Sequence, residues 1–194
     1  GVRPAMPAAG RWAQGGKGQF RIVSNMGRQW EEVYPVLNTG LVSVRALLAA
    51  INQGVHEGTI WDVQHLYMLT RLGTGGGSPV VSGSSQTGSN LNISGASNNI
   101  TNWLRRGDII KVVGCAVVMD VTADVNTGGT GLATIPISPA IYVGGSPANG
   151  AAVEINPANI FYKAVLVDVS ALPAIDVTKQ MQPGLTLTWR EQPT

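Results

Sequence analysis

The sequence predicts a mainly β fold with a single helix, and three observations carry that prediction. Short runs rich in Val and Ile recur along the chain, and such branched side chains suit a pleated, half-buried surface while losing rotamer freedom in a helix. The 25 glycines and 11 prolines of the 194 residues are generous, and many of the glycines fall between those runs, where turns belong. Only one stretch carries a convincing helical period.

Charged residues make up 12% of the chain, about half the usual share. Much of the polar surface is therefore Ser, Thr, Asn and Gly, which neighbouring copies can cover without stranding charge. That composition favours an assembly subunit. The net charge is +2, and the basic residues are scattered, with Arg105-Arg106 the tightest pair and Lys17, Arg21 and Arg28 spread near the N-terminus. A nucleic-acid binder concentrates such groups on one face, because affinity rises with the phosphates neutralised. The lone Cys115 has no internal disulfide partner, and its apolar neighbours predict a buried small hydrophobe. No apolar run approaches the roughly 18 residues of a spanning helix, so no membrane insertion is expected. The N-terminus does not show the charged, apolar, small-residue order of a signal peptide.

Taken in order, residues 1–18 read as an arm rich in Pro, Ala and Gly with no sustained period. Its isolated Trp12 fits either a frayed terminus or an arm anchored on a neighbouring subunit. From Gln19 the pattern turns to strand. Phe20 and Ile22 alternate with polar residues, Asn25-Met26-Gly27 offers a turn, and Gln29 to Val36 returns with Trp30 and Tyr34. Pro35 belongs at the end or edge of that strand, since it lacks the ladder N–H. The helix comes next: Val44, Leu47, Leu48 and Ile51 fall at i, i+3, i+4 and i+7. Thr39 or Ser43 would cap its start and Gly54 would lie just past its end. Thr59 to Val63 predicts a strand, followed by His65 to Thr70 with Leu66, Met68 and Thr70 on one face.

Composition shifts at Leu72. Residues 73–90 are Gly- and Ser-rich without helical period and read as a linker or long flexible loop, with 73–77 as the linker proper. Five short β-runs follow: Leu91 to Ile93, Trp103 to Val113, Ala116 to Val125, Leu132 to Ile137 and Ala152 to Ile155. Gly, Asn, Ser and Pro clusters separate several of them, which predicts a small barrel or compact sandwich. Within it, Ile109 to Val113 and Ala116 to Val121 would form an antiparallel hairpin turning at Gly114-Cys115. A strong run from Phe161 to Val169 leaves this region, and after Pro173 a final alternating strand covers Leu185 to Trp189.

Catalytic patterns are weak throughout. His56 and His65 are nine apart, a spacing that fits no helical zinc motif. Gly73-Thr74-Gly75-Gly76-Gly77 lacks the Lys-Ser/Thr ending of a phosphate loop, and no helix is expected after it. Ser82 and Ser94 lie in glycine-rich contexts without a nucleophile elbow. Asp108, Asp120 and Asp124 share one region, where strand-end carboxylates usually cap turns rather than form an acid–base pair. The five Trp residues are spread from Trp12 to Trp189, and packing explains them more economically than sugar stacking. No catalytic residue, cofactor or metal is assigned.

Several motifs occur in a suggestive order: Trp103-Leu104 with Gly107-Asp108, Thr122-Ala123-Asp124 in a valine-rich hairpin, and the loop from Ser146 to Ala151. In this order the chain resembles the distal tail, or baseplate-hub, protein family of long-tailed bacteriophages, most strongly from Gln86 to Phe161. The resemblance implies a tail-tube-like belt domain, a β-sandwich plus helix, made from residues 19–72 and 164–194 and carrying a small β-barrel inserted at 78–163. It implies a non-enzymatic virion protein in which six copies close a ring between tail tube and baseplate or tip, with DNA only as passing cargo in the lumen. Trp12, Phe20, Trp30 and Tyr34 are the expected assembly contacts. Where family members carry a Gly-Asp-Pro turn before the linker, this chain has Gly58-Thr59-Ile60-Trp61-Asp62 with no following Pro. Alternatives are a tail-tube or head–tail connector subunit, and a module that binds a glycan or another protein.

Overall fold

The computed structural model describes residues 2–5, 12–14, 20–22, 29–37, 46, 49–54, 57–64, 68–170 and 182–192. The chain divides into two compact units, Gly1–Val63 with Lys163–Thr194, and Gln64–Tyr162 inserted between them in sequence. The described residues are mostly β, with one short helix.

The first unit contains a five-stranded sheet in the order β1 (Val2–Ala5), β4 (Gln29–Leu37), β13 (Gln182–Glu191), β12 (Tyr162–Ser170), β5 (Ile60–Val63). A separate antiparallel pair joins β2 (Trp12–Gln14) to β3 (Phe20–Ile22). Both chain ends thus contribute to the larger sheet: β13 pairs antiparallel with β4 on one side and β12 on the other. Alternation fixes the faces of β12, where Ala164 and Leu166 are buried while Lys163 and Val167 are exposed. Pro35 lies inside β4, but the register of β1 ends at Glu32, so its missing N–H interrupts no bond to that neighbour.

Residues 49–54 are helical, as are 46 and 57. Ile51 is buried as the apolar stripe requires; Val44, Leu47, Leu48 and the candidate caps lie outside the described residues. Gly54, expected just past the helix, is helical and buried, and a Cβ there would stand 2.9 Å from Trp61 Nε1. Its small size is spent on letting the β5 indole lie against the helix. The left-handed residue is instead Gly58, at φ 62.

The second unit is a nearly closed barrel of six strands in the order β11 (Val153–Glu154), β8 (Ile109–Val112), β9 (Val118–Val121), β10 (Ala133–Ile141), β7 (Gly88–Ala96), β6 (Gly77–Val81). The predicted hairpin is present as β8–β9, with Ile109 opposite Asp120 and Lys111 opposite Val118. Inward side chains including Leu91, Ile93, Leu104, Ile110, Ile135 and Ile137 fill a single core. A bridge between Val80 and Ala152 joins β6 to β11. Val81 exchanges bonds with Gly150 and Ala151 along that seam. Pro79, two residues earlier on the same edge, has no N–H to offer, so the ladder stops there and the barrel stays open below it.

Three expectations for this unit change. Residues 73–90 are neither linker nor flexible loop. Residues 73–76 are bonded along Asn102 and Trp103, β6 begins at Gly77, and the buried Gln86 side chain ties Ser82 O to both backbone groups of Asn92. Backbone and amide bonds give this Gly/Ser stretch an order that composition does not reveal. Trp103 to Asp108 is not strand: Leu104 makes only a bridge to Val125, and the segment instead wraps around the Asp108 carboxylate. Likewise, within His65 to Thr70 the described Met68–Thr70 form a 3-10 position and a bend, not a strand.

Candidate functional site

The expected assembly residues fall in two places. Trp12 and Phe20 belong to the β2–β3 pair, opposite Ile22 and Gln14. Trp30 and Tyr34 lie in β4, where Trp30 stands opposite Pro4 on one side and Trp189 on the other, and Tyr34 opposite Leu185. Strand β4 is interior to its sheet; the edges are the four-residue strands β1 and β5. On β5, Asp62 carries an exposed ion pair with Lys163, with N···O 2.8 Å.

One end of the barrel, the base, is where the chain enters at Gln64 and leaves at Tyr162. Several of the unit's charged groups hold fixed internal roles there. Asp108 is 3% exposed and takes three backbone N–H groups: Leu72 N on Oδ1 at 2.6 Å, and Gly73 N and Arg105 N on Oδ2 at 3.0 and 2.8 Å. Asp124 accepts from Arg106 N at 2.9 Å. These two carboxylates cap turns, as the sequence predicted. Arg71 donates to the carbonyls of Gly73, Thr74 and Ile155, so its guanidinium spans the open part of the seam. Gly75, at φ 65, leaves room for that guanidinium, into which any Cβ would run. Glu154 accepts from Asn156 N and Asn159 Nδ2. Between these groups lies an open groove of about 520 Å³, walled by Gly76 and Gly77 on one side and Glu154 to Pro157 on the other. Its charged side chains are already committed to neighbours. That leaves no poised acid, base or nucleophile.

The opposite end, the tip, is made by residues 82–87, 113–117 and 142–152. The register brings them together: Ile141 lies opposite Gly88, Val153 opposite Val112, and Asn149 Oδ1 accepts from Gly83 N at 2.8 Å. These three loops contain no Asp, Glu, Lys or Arg. Their apex is apolar, with Tyr142 73%, Val143 87% and Val113 64% exposed. Gly145 N donates to Tyr142 O at 2.9 Å, closing a turn whose third residue, Gly144, has φ 93. The Tyr142 ring lies across that turn: a Cβ on Gly145 would sit 2.5 Å from its Cε1 and 2.7 Å from its Cζ. Little in the sequence singles these residues out. Their only local signal is an aromatic–aliphatic pair running directly into Gly-Gly at the end of a strand.

The other candidates resolve simply. Trp103 is fully buried and donates from Nε1 to Gly76 O at 2.9 Å, so it is a core residue and no sugar platform. Cys115 is half-buried beside the core, where desolvation raises its thiol pKa and the Lys111 charge works weakly against that shift. Gly73 to Gly77 is followed by a strand, which removes the helix N-terminus a phosphate loop needs. His56 and His65 lie outside the described residues. Among the described residues, no three His, Cys, Asp or Glu side chains group as a metal set, and no helix is long and apolar enough to cross a membrane.

Neither the known protein-family models nor the curated proteins contain a match to this chain.

Proposed function

We propose that this protein is a ring-forming structural subunit of a bacteriophage tail, of the distal tail type, with the five-stranded unit as its belt domain. The observation that carries this reading is the chain's division: one sheet-and-helix unit built from both ends of the sequence, with a small, nearly closed barrel inserted between. The motif order of the barrel and the low charge density support it. Ring closure would come from heterologous pairing of β1 and β5 edges between successive copies, aided by the β2–β3 pair and its Trp12 and Phe20. Tail-tube and baseplate or tip proteins are its partners, DNA passes only through the lumen, and the mechanism is assembly without a cofactor. Native mass spectrometry and electron microscopy of the purified chain test it. A closed ring, six copies in the expected case, supports the reading; a monomer at high concentration with no ring overturns it.

A further inference from the structure

We infer that Asn149 is a site of spontaneous deamidation, held in check by the β6–β11 seam while the barrel is closed. Asn149-Gly150 is the only Asn-Gly pair in the sequence, and both residues are exposed. The turn demands the glycine. Ala151 N donates to Ala148 O at 3.1 Å, closing a turn whose third residue, Gly150, has φ 80. Glycine takes that conformation without strain, and nothing lies within 4 Å of where a Cβ would stand. The backbone nitrogen that follows Asn149 is therefore shielded by no side chain of its own, which is the condition under which an asparagine carboxamide is attacked fastest.

The chemistry needs only this chain and water. Gly150 N bonds to Asn149 Cγ and loses its proton to solvent, the Cγ–Nδ2 bond breaks, and ammonia leaves a succinimide. Water then opens the ring at either carbonyl, giving aspartate or isoaspartate. In the closed barrel both reacting groups are held away from this course. Gly150 N donates to Val81 O at 2.9 Å, and Asn149 Oδ1 accepts from Gly83 N at 2.8 Å. Ring closure has to release both bonds, and both cross from the turn to the end of β6 and the loop after it. The seam they belong to is short, since Pro79 ends it and its bridge is the isolated pair of Val80 and Ala152. A junction of so few backbone bonds opens more readily than a full ladder. Isoaspartate adds a methylene to the backbone ahead of Gly150, so Gly150 N no longer meets Val81 O in register. The opening is then permanent. This site is independent of ring formation, and either can fail without the other.

Peptide mapping by mass spectrometry tests it, following amide-to-acid conversion and isoaspartate at Asn149 in the full chain aged in mildly alkaline buffer. Conversion should be at least about 10-fold slower in the folded chain than in chain unfolded by guanidinium chloride at the same pH, because both hydrogen bonds must open together. Gln86→Ala removes the amide that ties the Gly83 loop to Asn92. In chain that circular dichroism shows to be folded, it should speed conversion by about 2- to 10-fold, the weight of one such bond. A second measurement needs no such variant: chain enriched in isoaspartate should unfold at a lower temperature than Asn149→Asp, whose carboxylate keeps the bond to Gly83 N. Equal rates in folded and unfolded chain overturn the site, as does a folded Gln86→Ala at the native rate. So does an isoaspartate chain as stable as Asn149→Asp, or conversion no faster in unfolded chain at Asn149 than at Asn99, which Ile100 follows.

Discussion

Asp108 holds the amide of Leu72 at 2.6 Å across 36 residues of sequence, and through its second oxygen the amides of Gly73 and Arg105. One buried carboxylate thereby fastens the segment leading into the barrel to the loop that precedes β8. Asp108→Asn would keep one acceptor oxygen but turn an NH2 towards backbone donors, breaking charge-assisted bonds. The expected loss is about 2–4 kcal/mol. Urea unfolding of the full chain measures it. Asp124→Asn, exposed and holding a single amide, serves as the comparison and should shift the midpoint far less.

Gly73 and Gly83 separate close approach from backbone strain. A Cβ on Gly73 would lie 2.5 Å from Trp103 O and 2.6 Å from Leu104 Cα, both backbone atoms that cannot swing aside. Gly83, at φ 102, has nothing within 4 Å of its missing Cβ. Gly83→Ala should therefore cost about 1–2 kcal/mol from its dihedral alone. Gly73→Ala should cost more or prevent folding of the barrel. Thermal unfolding of the two variants reads the order, and a reversed order would refute the packing of 73–76 against Trp103.

Trp103 is 0% exposed, and its indole N–H reaches Gly76 O. Trp103→Ala should lower stability by about 3–5 kcal/mol through the cavity it leaves. Trp103→Phe should cost less, because Gly76 O still accepts from Ser97 N at 3.2 Å. Denaturant titration followed by circular dichroism distinguishes the two.

Cys115 should alkylate slowly at neutral pH. Desolvation holds its pKa above the usual thiol value, so the reactive thiolate appears only at higher pH. Replacing Lys111 with Met removes the one charge that lowers the pKa and should move the pH–rate curve further up. Rates with iodoacetamide across alkaline pH check both shifts. A Cys115 that reacts faster than a free thiol at pH 7 contradicts the burial.

The ion pair of Asp62 and Lys163 is the contrasting case, close at 2.8 Å yet with side chains about half exposed. Asp62→Ala should leave the unfolding midpoint nearly unchanged, since exposed pairs exchange solvation for attraction at little net gain.

The sequence by itself determined the elements whose stability is written in side-chain periodicity. Residues 109–121 alternate Val and Ile with turn residues, and they form the β8–β9 hairpin. The capping role of Asp108 and Asp124 was legible too, because a carboxylate at a strand end has backbone donors close at hand. Tertiary structure alone decided the rest. Strand β6 carries Gly-Ser-Pro, with no apolar alternation until Val80-Val81, and it exists because β7 on one side and residues 150–152 on the other supply its partners. Trp103 itself sits in a run that reads as strand, yet its indole bond to Gly76 O and the bond of Arg105 N to Asp108 bend that run into a loop. The tip was illegible for the same reason. Residues 82–87, 113–117 and 142–152 are distant in sequence, and only strand register brings them to one end of the barrel.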